Sequence, residues 1–151
     1  VCPSEIIAFD HRYNDFKERG IEVIGISTDN EFSHLAWKNT PVNKGGIGNI
    51  KYPLVSDITK QISRDFDVLY ADAVALRGSF LLDKDGTVRH MVLNDDALGR
   101  NIDEMLRMVD TMLFTNEHGV VCPAGWNKGQ EGMKANPDGV ADYLGKNADK
   151  L

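Results

Sequence analysis

The chain has 151 residues, 42% hydrophobic and 26% charged, which suits one globular domain with a proper core and is too short for two. With 17 Lys and Arg against 23 Asp and Glu the net charge is −6, and no basic cluster stands out, so no nucleic-acid partner is expected. No apolar run approaches the roughly 18 residues of a membrane-spanning helix, and the charges within positions 1–20 exclude a signal peptide, so no membrane partner is expected and the chain reads as cytoplasmic.

The sequence opens without methionine, on Val1-Cys2-Pro3, directly on structured-looking residues. The expectation is that it continues a longer chain. Residues 2–19 read as one amphipathic helix. Pro3 suits a helix start, Glu5 suits the first turn, and Ile6, Phe9, Tyr13 and Phe16 recur at spacings of three and four until Gly20. Residues 21–27 read as a buried strand and 31–37 as a short helix. A loop over 39–49 follows, carrying Pro41 and Gly45-Gly46-Ile47-Gly48. Next come a strand at 53–55 and a helix at 59–66, with Asp57 or Ser56 as its cap. Strands at 79–83 and 87–93 are joined through Lys84-Asp85-Gly86, a strong hairpin signal. A long helix spans 101–114, with Ile102, Met105, Leu106, Val109 and Leu113 on one side. Beyond Gly119, the glycines and prolines leave little room for a core element, and the tail reads as an arm. Helices and strands alternate, which predicts a mixed sheet with helices on its faces.

Two cysteines, Cys2 and Cys122, stand far apart, with no CxxC or zinc spacing. On spacing alone they fit two inert thiols, a structural disulfide, or a redox pair that meets in the fold or across a subunit boundary. A thiol in the first turn of a helix sits among unpaired N–H donors at the positive end of the macrodipole, which favours the nucleophilic thiolate. One helix terminus seldom supplies enough by itself, so an arginine from elsewhere in the fold is expected beside Cys2. The four histidines have no ligand spacing and Trp37 and Trp126 read as packing residues; no metal or other cofactor is implied.

The segment Val1-Cys2-Pro3-Ser4-Glu5-Ile6 resembles the F-V-C-P-[TS]-E stretch around the peroxidatic cysteine of typical 2-Cys peroxiredoxins. Val121-Cys122-Pro123-Ala124-Gly125-Trp126 resembles the V-C-P-A-G-W stretch around their resolving cysteine. Between them, His34-Leu35-Ala36-Trp37, Asn39-Thr40-Pro41, Arg77-Gly78-Ser79-Phe80 and Gly99-Arg100-Asn101-Ile102-Asp103-Glu104 follow in the family's order and spacing. The resemblance covers essentially the whole chain and is to the peroxiredoxins of the bacterial alkyl hydroperoxide reductase type.

The resemblance implies a thioredoxin-like α/β fold: a peroxidase domain over 1–119, N-terminally incomplete, and a C-terminal arm over 120–151. It implies reduction of hydrogen peroxide and organic hydroperoxides. Cys2 would attack the peroxide and become a sulfenic acid, and Cys122 of the neighbouring subunit would condense with it to an intersubunit disulfide. A thioredoxin-type or flavoprotein disulfide reductase would restore both thiols. A homodimer and a ring of dimers, a decamer, are implied as well. Arg77 matches the family's active-site arginine, and Glu5 and Arg100 match positions of a supporting charge network.

Three departures stand out. The family's loop is P-x-x-x-T-x-x-C, and its proline, its threonine and the upstream strands precede Val1; the residues present would leave the sheet open, with apolar surface exposed. Asn94-Asp95-Asp96-Ala97-Leu98-Gly99 stands where relatives have N-D-L-P-[LV]-G, which should loosen that loop. Tyr143-Leu144 replaces the Tyr-Phe of peroxidases sensitive to overoxidation, whereas Gly45-Gly46-Ile47-Gly48 matches their other marker. The competing expectations are a holdase chaperone assembly or an inactive fragment, a thioredoxin-type oxidoreductase, which lacks the CxxC it needs, and a domain with two idle thiols.

Overall fold

Pro3 sets the first helix, and Cys2 is its first residue. In the computed structural model, which describes residues 1–151, α1 runs Cys2–His11 and α2 runs Tyr13–Glu18. The single helix expected over 2–19 is therefore two. The chain opens at Arg12 (φ −96°, ψ 3°), whose N–H is shared between the carbonyls of Ala8 and Phe9. The apolar periodicity survives the break because Phe9 and Phe16 stay on one side and stack at 5.9 Å.

The first of two compact units, Val1–Ile102, continues with β1 (Gly25–Ser27), α3 (Glu31–Asn39) and β2 (Leu54–Ser56). Strand β1 is shorter than the apolar run 21–27 because its parallel ladder with β2 has only three rungs, Gly25 to Leu54 through Ser27 to Ser56. Asn30 caps α3 by accepting from the N–H of Ser33. The glycine loop after α3 is dictated by space: a Cβ on Gly46 would lie 1.8 Å from the carbonyl oxygen of Thr40. Helix α4 (Gln61–Asp65) is shorter than expected. Its cap position is Lys60, in the left-handed region, yet the buried Asp57 carboxylate accepts from the N–H groups of Ile62 and Ser63 and from the Ser63 hydroxyl. The hairpin β3 (Leu69–Tyr70) and β4 (Val74–Ala75) was not foreseen; two-residue strands leave no periodicity to read. Strands β5 (Arg77–Leu82) and β6 (Val88–Asn94) form the expected antiparallel hairpin, with a bulge between Leu81 and Leu82. Strand pairing is thus both parallel and antiparallel, in three two-stranded ladders. Ile26, Val55, Met91 and Leu93 on these strands are exposed.

The core of this unit is Ile47, Ile50 and Tyr52, against which Ile6, Phe9, Tyr13, Val23, Trp37 and Leu54 pack. It anchors α1 in two ways. Ile6 and Phe9 bury apolar area there, and the Tyr52 hydroxyl donates to the carbonyl of Ile6 at 2.8 Å. Burial, reinforced by Asp10, holds that phenol well above the ordinary tyrosine range, although Arg100 pulls the other way, so it stays a donor. The Asp10 carboxylate accepts from the N–H of Lys51 at 2.7 Å and pins the far end of the helix.

The second unit, Asp103–Leu151, takes most of α5 (Ile102–His118) and all of α6 (Pro137–Asn147). The expectation of a tail without core elements is corrected here. Val121 and Met133 exchange backbone hydrogen bonds of 2.9 and 2.8 Å, and Trp126 is 1% exposed, with its ring 4.8 Å from that of Phe114. Glycine makes this possible: a Cβ on Gly132 would lie 2.5 Å from Val120 and 2.9 Å from Phe114. Asn136 caps α6 and Pro137 opens it, a helix-start pair hidden among turn-forming neighbours.

Candidate active site

Cys2 is exposed, at the position where α1 has no intrahelical partners for its N–H groups. The arginine expected from elsewhere in the fold is Arg77, the first residue of β5: its Nη1 donates to the Cys2 sulfur at 3.1 Å. The same nitrogen donates to Glu5 Oε2 at 3.0 Å. A full positive charge therefore lies against the sulfur, and its side chain, only 11% exposed, is poorly screened by water. The contact with Cys2 is the strongest influence raising the proton affinity of Arg77; burial opposes it and Glu5 adds to it, and the guanidinium stays charged.

Glu5 is the hub. Its side chain is 4% exposed and is bound by two guanidinium groups. Arg100 donates from Nε and from its backbone N–H to Oε1 at 3.0 and 2.7 Å, and from Nη2 to Oε2 at 2.9 Å. Burial pushes the carboxyl upward, but the hydrogen bonds and charge of Arg100, with the charge of Arg77, outweigh it and hold Glu5 below the ordinary glutamate range. Arg100 is itself fixed by the Ser79 hydroxyl at 2.9 Å, by the Gly78 carbonyl, and by the Phe9 ring 5.9 Å from its Cζ. Helix α1, strand β5 and the segment before α5 are thus stitched together by one buried carboxylate.

Four residues singled out in the sequence, Cys2, Glu5, Arg77 and Arg100, converge. Three further groups join them without having been foreseen: Ser79, the Gly78 carbonyl, and the Asp96 carbonyl, which accepts from Arg77 Nε. That last contact is to backbone, so any residue at position 96 supplies it. The departure from the family pattern at 96–97 leaves a loop closed by bonds from Asn94 Nδ2 to the carbonyls of Leu98 and Gly99. A signal for Ser79 was present in the Arg77-Gly78-Ser79-Phe80 match; nothing in the sequence pointed to the two carbonyls.

Cys122, in the second unit, has different neighbours. Its sulfur is 3.6 Å from Thr115 Oγ1 and 3.9 Å from the carbonyl of Thr111, both on α5. Both cysteines are free thiols in this structure. Trp37 and Trp126 pack as expected, each with its indole N–H on a carbonyl, Gly45 and Gln130 respectively, at 3.1 Å. No group of three or more His, Cys, Asp or Glu side chains converges as a metal site.

A buried carboxylate that aims a guanidinium at a helix-terminal cysteine defines a thiol-chemistry site. Residues 1–91 match the AhpC/TSA family, and residues 112–146 match the C-terminal domain of 1-Cys peroxiredoxin. The chain is 64% identical over 151 residues to alkyl hydroperoxide reductase C of Helicobacter pylori, covering all of this chain and 76% of that protein. The reduced 2-Cys peroxiredoxin of Plasmodium vivax superposes with a TM-score of 0.95 at 52% identity, covering 96% of this chain and 75% of that one. Thioredoxin peroxidase I of Plasmodium yoelii gives 0.75 at 54% identity, covering 85% and 74%. The chain belongs to the AhpC/TSA family, with the thioredoxin-like α/β fold of the peroxiredoxins.

Proposed function

We propose that this chain reduces hydrogen peroxide and organic hydroperoxides at Cys2, with Cys122 resolving the product as an intersubunit disulfide. The chain is a peroxiredoxin and so a thiol-dependent peroxidase. The observation that carries the assignment of Cys2 is the 3.1 Å contact from Arg77, itself aimed by Glu5. The sulfur attacks one peroxide oxygen, the O–O bond breaks, and the alcohol or water leaves with a proton, giving Cys2 sulfenic acid. Arg77 places positive charge where negative charge shifts from sulfur to oxygen in the transition state. Arg100 acts through Glu5 and is a positioning residue.

Residues 1–119 act as the peroxidase domain and 120–151 as the arm that carries Cys122. The functional assembly is a homodimer, further joined into a ring of dimers. The reductant is a disulfide reductase of thioredoxin or flavoprotein type; the name of the Plasmodium yoelii relative supports the first. No helix is long and apolar enough to cross a membrane, and the acidic composition with two unpaired thiols supports a cytoplasmic location.

Oxidation with one equivalent of peroxide followed by a non-reducing gel tests the scheme. A disulfide-linked dimer forms, and either Cys2→Ser or Cys122→Ser abolishes it. A linked dimer that survives in both variants overturns it.

A further inference from the structure

Within the second unit, one face of α5 presents Arg107, Thr111 and Thr115 at four-residue spacing, and Cys122 lies on the last of them. The hydroxyl of Thr111 donates to the Arg107 carbonyl at 2.8 Å, and that of Thr115 to the Thr111 carbonyl at 2.9 Å. A hydroxyl has one proton, so Thr115 has none left for sulfur. The 3.6 Å contact between Thr115 Oγ1 and Cys122 is therefore a bond from the thiol, whose single proton is shared between that oxygen and the Thr111 carbonyl at 3.9 Å. Both polar neighbours are acceptors. The charged group that feels Cys122 is Arg107, but its guanidinium is engaged by Glu104 at 2.6 and 2.7 Å and by the Trp126 carbonyl at 2.6 Å. That last bond ties the segment after Cys122 back to the same helix face.

We propose that Thr115 is a positioning residue for Cys122: its spent hydroxyl holds the thiol proton and parks the resolving cysteine on α5, and resolution requires that contact to break. The proposal rests on reading Cys122 as the resolving cysteine. In that step the Cys122 sulfur forms an S–S bond to the sulfenic sulfur of Cys2. The S–O bond breaks, hydroxide and the thiol proton leave as water, the Cys2 sulfur is reduced and the Cys122 sulfur oxidised. A sulfur held against α5 by these contacts is not free to attack until they break. The longer it stays docked, the longer the sulfenic acid is open to a second peroxide.

The test uses the full chain carrying Cys2→Ser, which leaves Cys122 as its one thiol, and follows alkylation by iodoacetamide at pH 7. Thr115→Val removes the hydroxyl at nearly constant volume and raises the rate about threefold, the scale of one weak hydrogen bond. Thr115→Ala, the second variant should valine not fold, gives the same rise. Thr115→Ser keeps the hydroxyl and the parent rate. In the two-cysteine protein, Thr115→Val lowers the fraction of Cys2 that gains two oxygens at a given peroxide dose. Unchanged alkylation without the hydroxyl overturns the proposal, as does a serine variant that rises as far as valine. The resolving role is checked separately: a linked dimer that survives Cys122→Ser removes that role while the alkylation comparison stands.

Discussion

The two cysteines of this chain occupy opposite surroundings, although both precede a proline. Cys2 is exposed, starts a helix and receives a hydrogen bond from a guanidinium, so its sulfur faces a charged donor at the positive end of the helix. Cys122 is half-buried against the middle of a helix, and its polar contacts are two oxygens that accept. The first setting stabilises negative charge on sulfur and keeps it open to a small oxidant. The second sets the sulfur between two oxygens and partly covers it. In the proposed scheme, one residue type thus serves two successive steps in two different hydrogen-bonding surroundings.

The largest expected effect tests the charged half of that contrast. Arg77→Ala removes the cation against Cys2 and slows peroxide reduction by about 10²-fold or more, the scale of a lost electrostatic contact in a transition state. Stopped-flow peroxide consumption reads it, and alkylation of Cys2 in a Cys122→Ser background slows in parallel. Unaltered rates in both assays would show that the guanidinium is a structural tie only.

A second substitution separates aiming from charge. Glu5→Gln leaves Arg77 and Arg100 buried without their shared carboxylate and costs about 3 kcal/mol of stability, as breaking a buried ion pair does. Chemical denaturation measures it, and a loss near zero would mean that the hub is dispensable. The smallest effect concerns pH. Because the folded protein holds Glu5 below its ordinary range, its contribution is complete above about pH 4 to 5 and is lost as the pH falls through the lower, folded value. The stability gap between the parent and Glu5→Gln is therefore flat from about pH 8 to 5 and narrows below. A gap that widens on acidification would refute the direction of the shift.

Local features of the site were legible in the sequence, and its long-range partners were legible only as matches to a family pattern. Pro3 after Cys2 announces a helix start, and Lys84-Asp85-Gly86 announces the turn that brings β5 and β6 together. Glu5 is 72 residues from Arg77 and 95 from Arg100, and no periodicity links positions that far apart. The break at Arg12 was invisible because the apolar spacing runs straight through it. Helix α6 and the buried Trp126 were hidden by glycines and prolines, among which Gly132 and Gly139 here serve close packing.

What the sequence by itself determined is everything carried within a few residues: where Cys2 falls on its helix, the hairpin turn, and the apolar stripes of α1 and α5. Tertiary structure brought to Cys2 the Arg77 that the sequence offered only as a family match, and alone decided that one buried carboxylate serves two arginines and that Cys122 meets a threonine whose proton is already committed. Helix starts and turns are settled by neighbouring backbone and side chains. Burial of charge and the direction of a hydrogen bond depend on what distant segments bring, and the chain acquires those only when it folds.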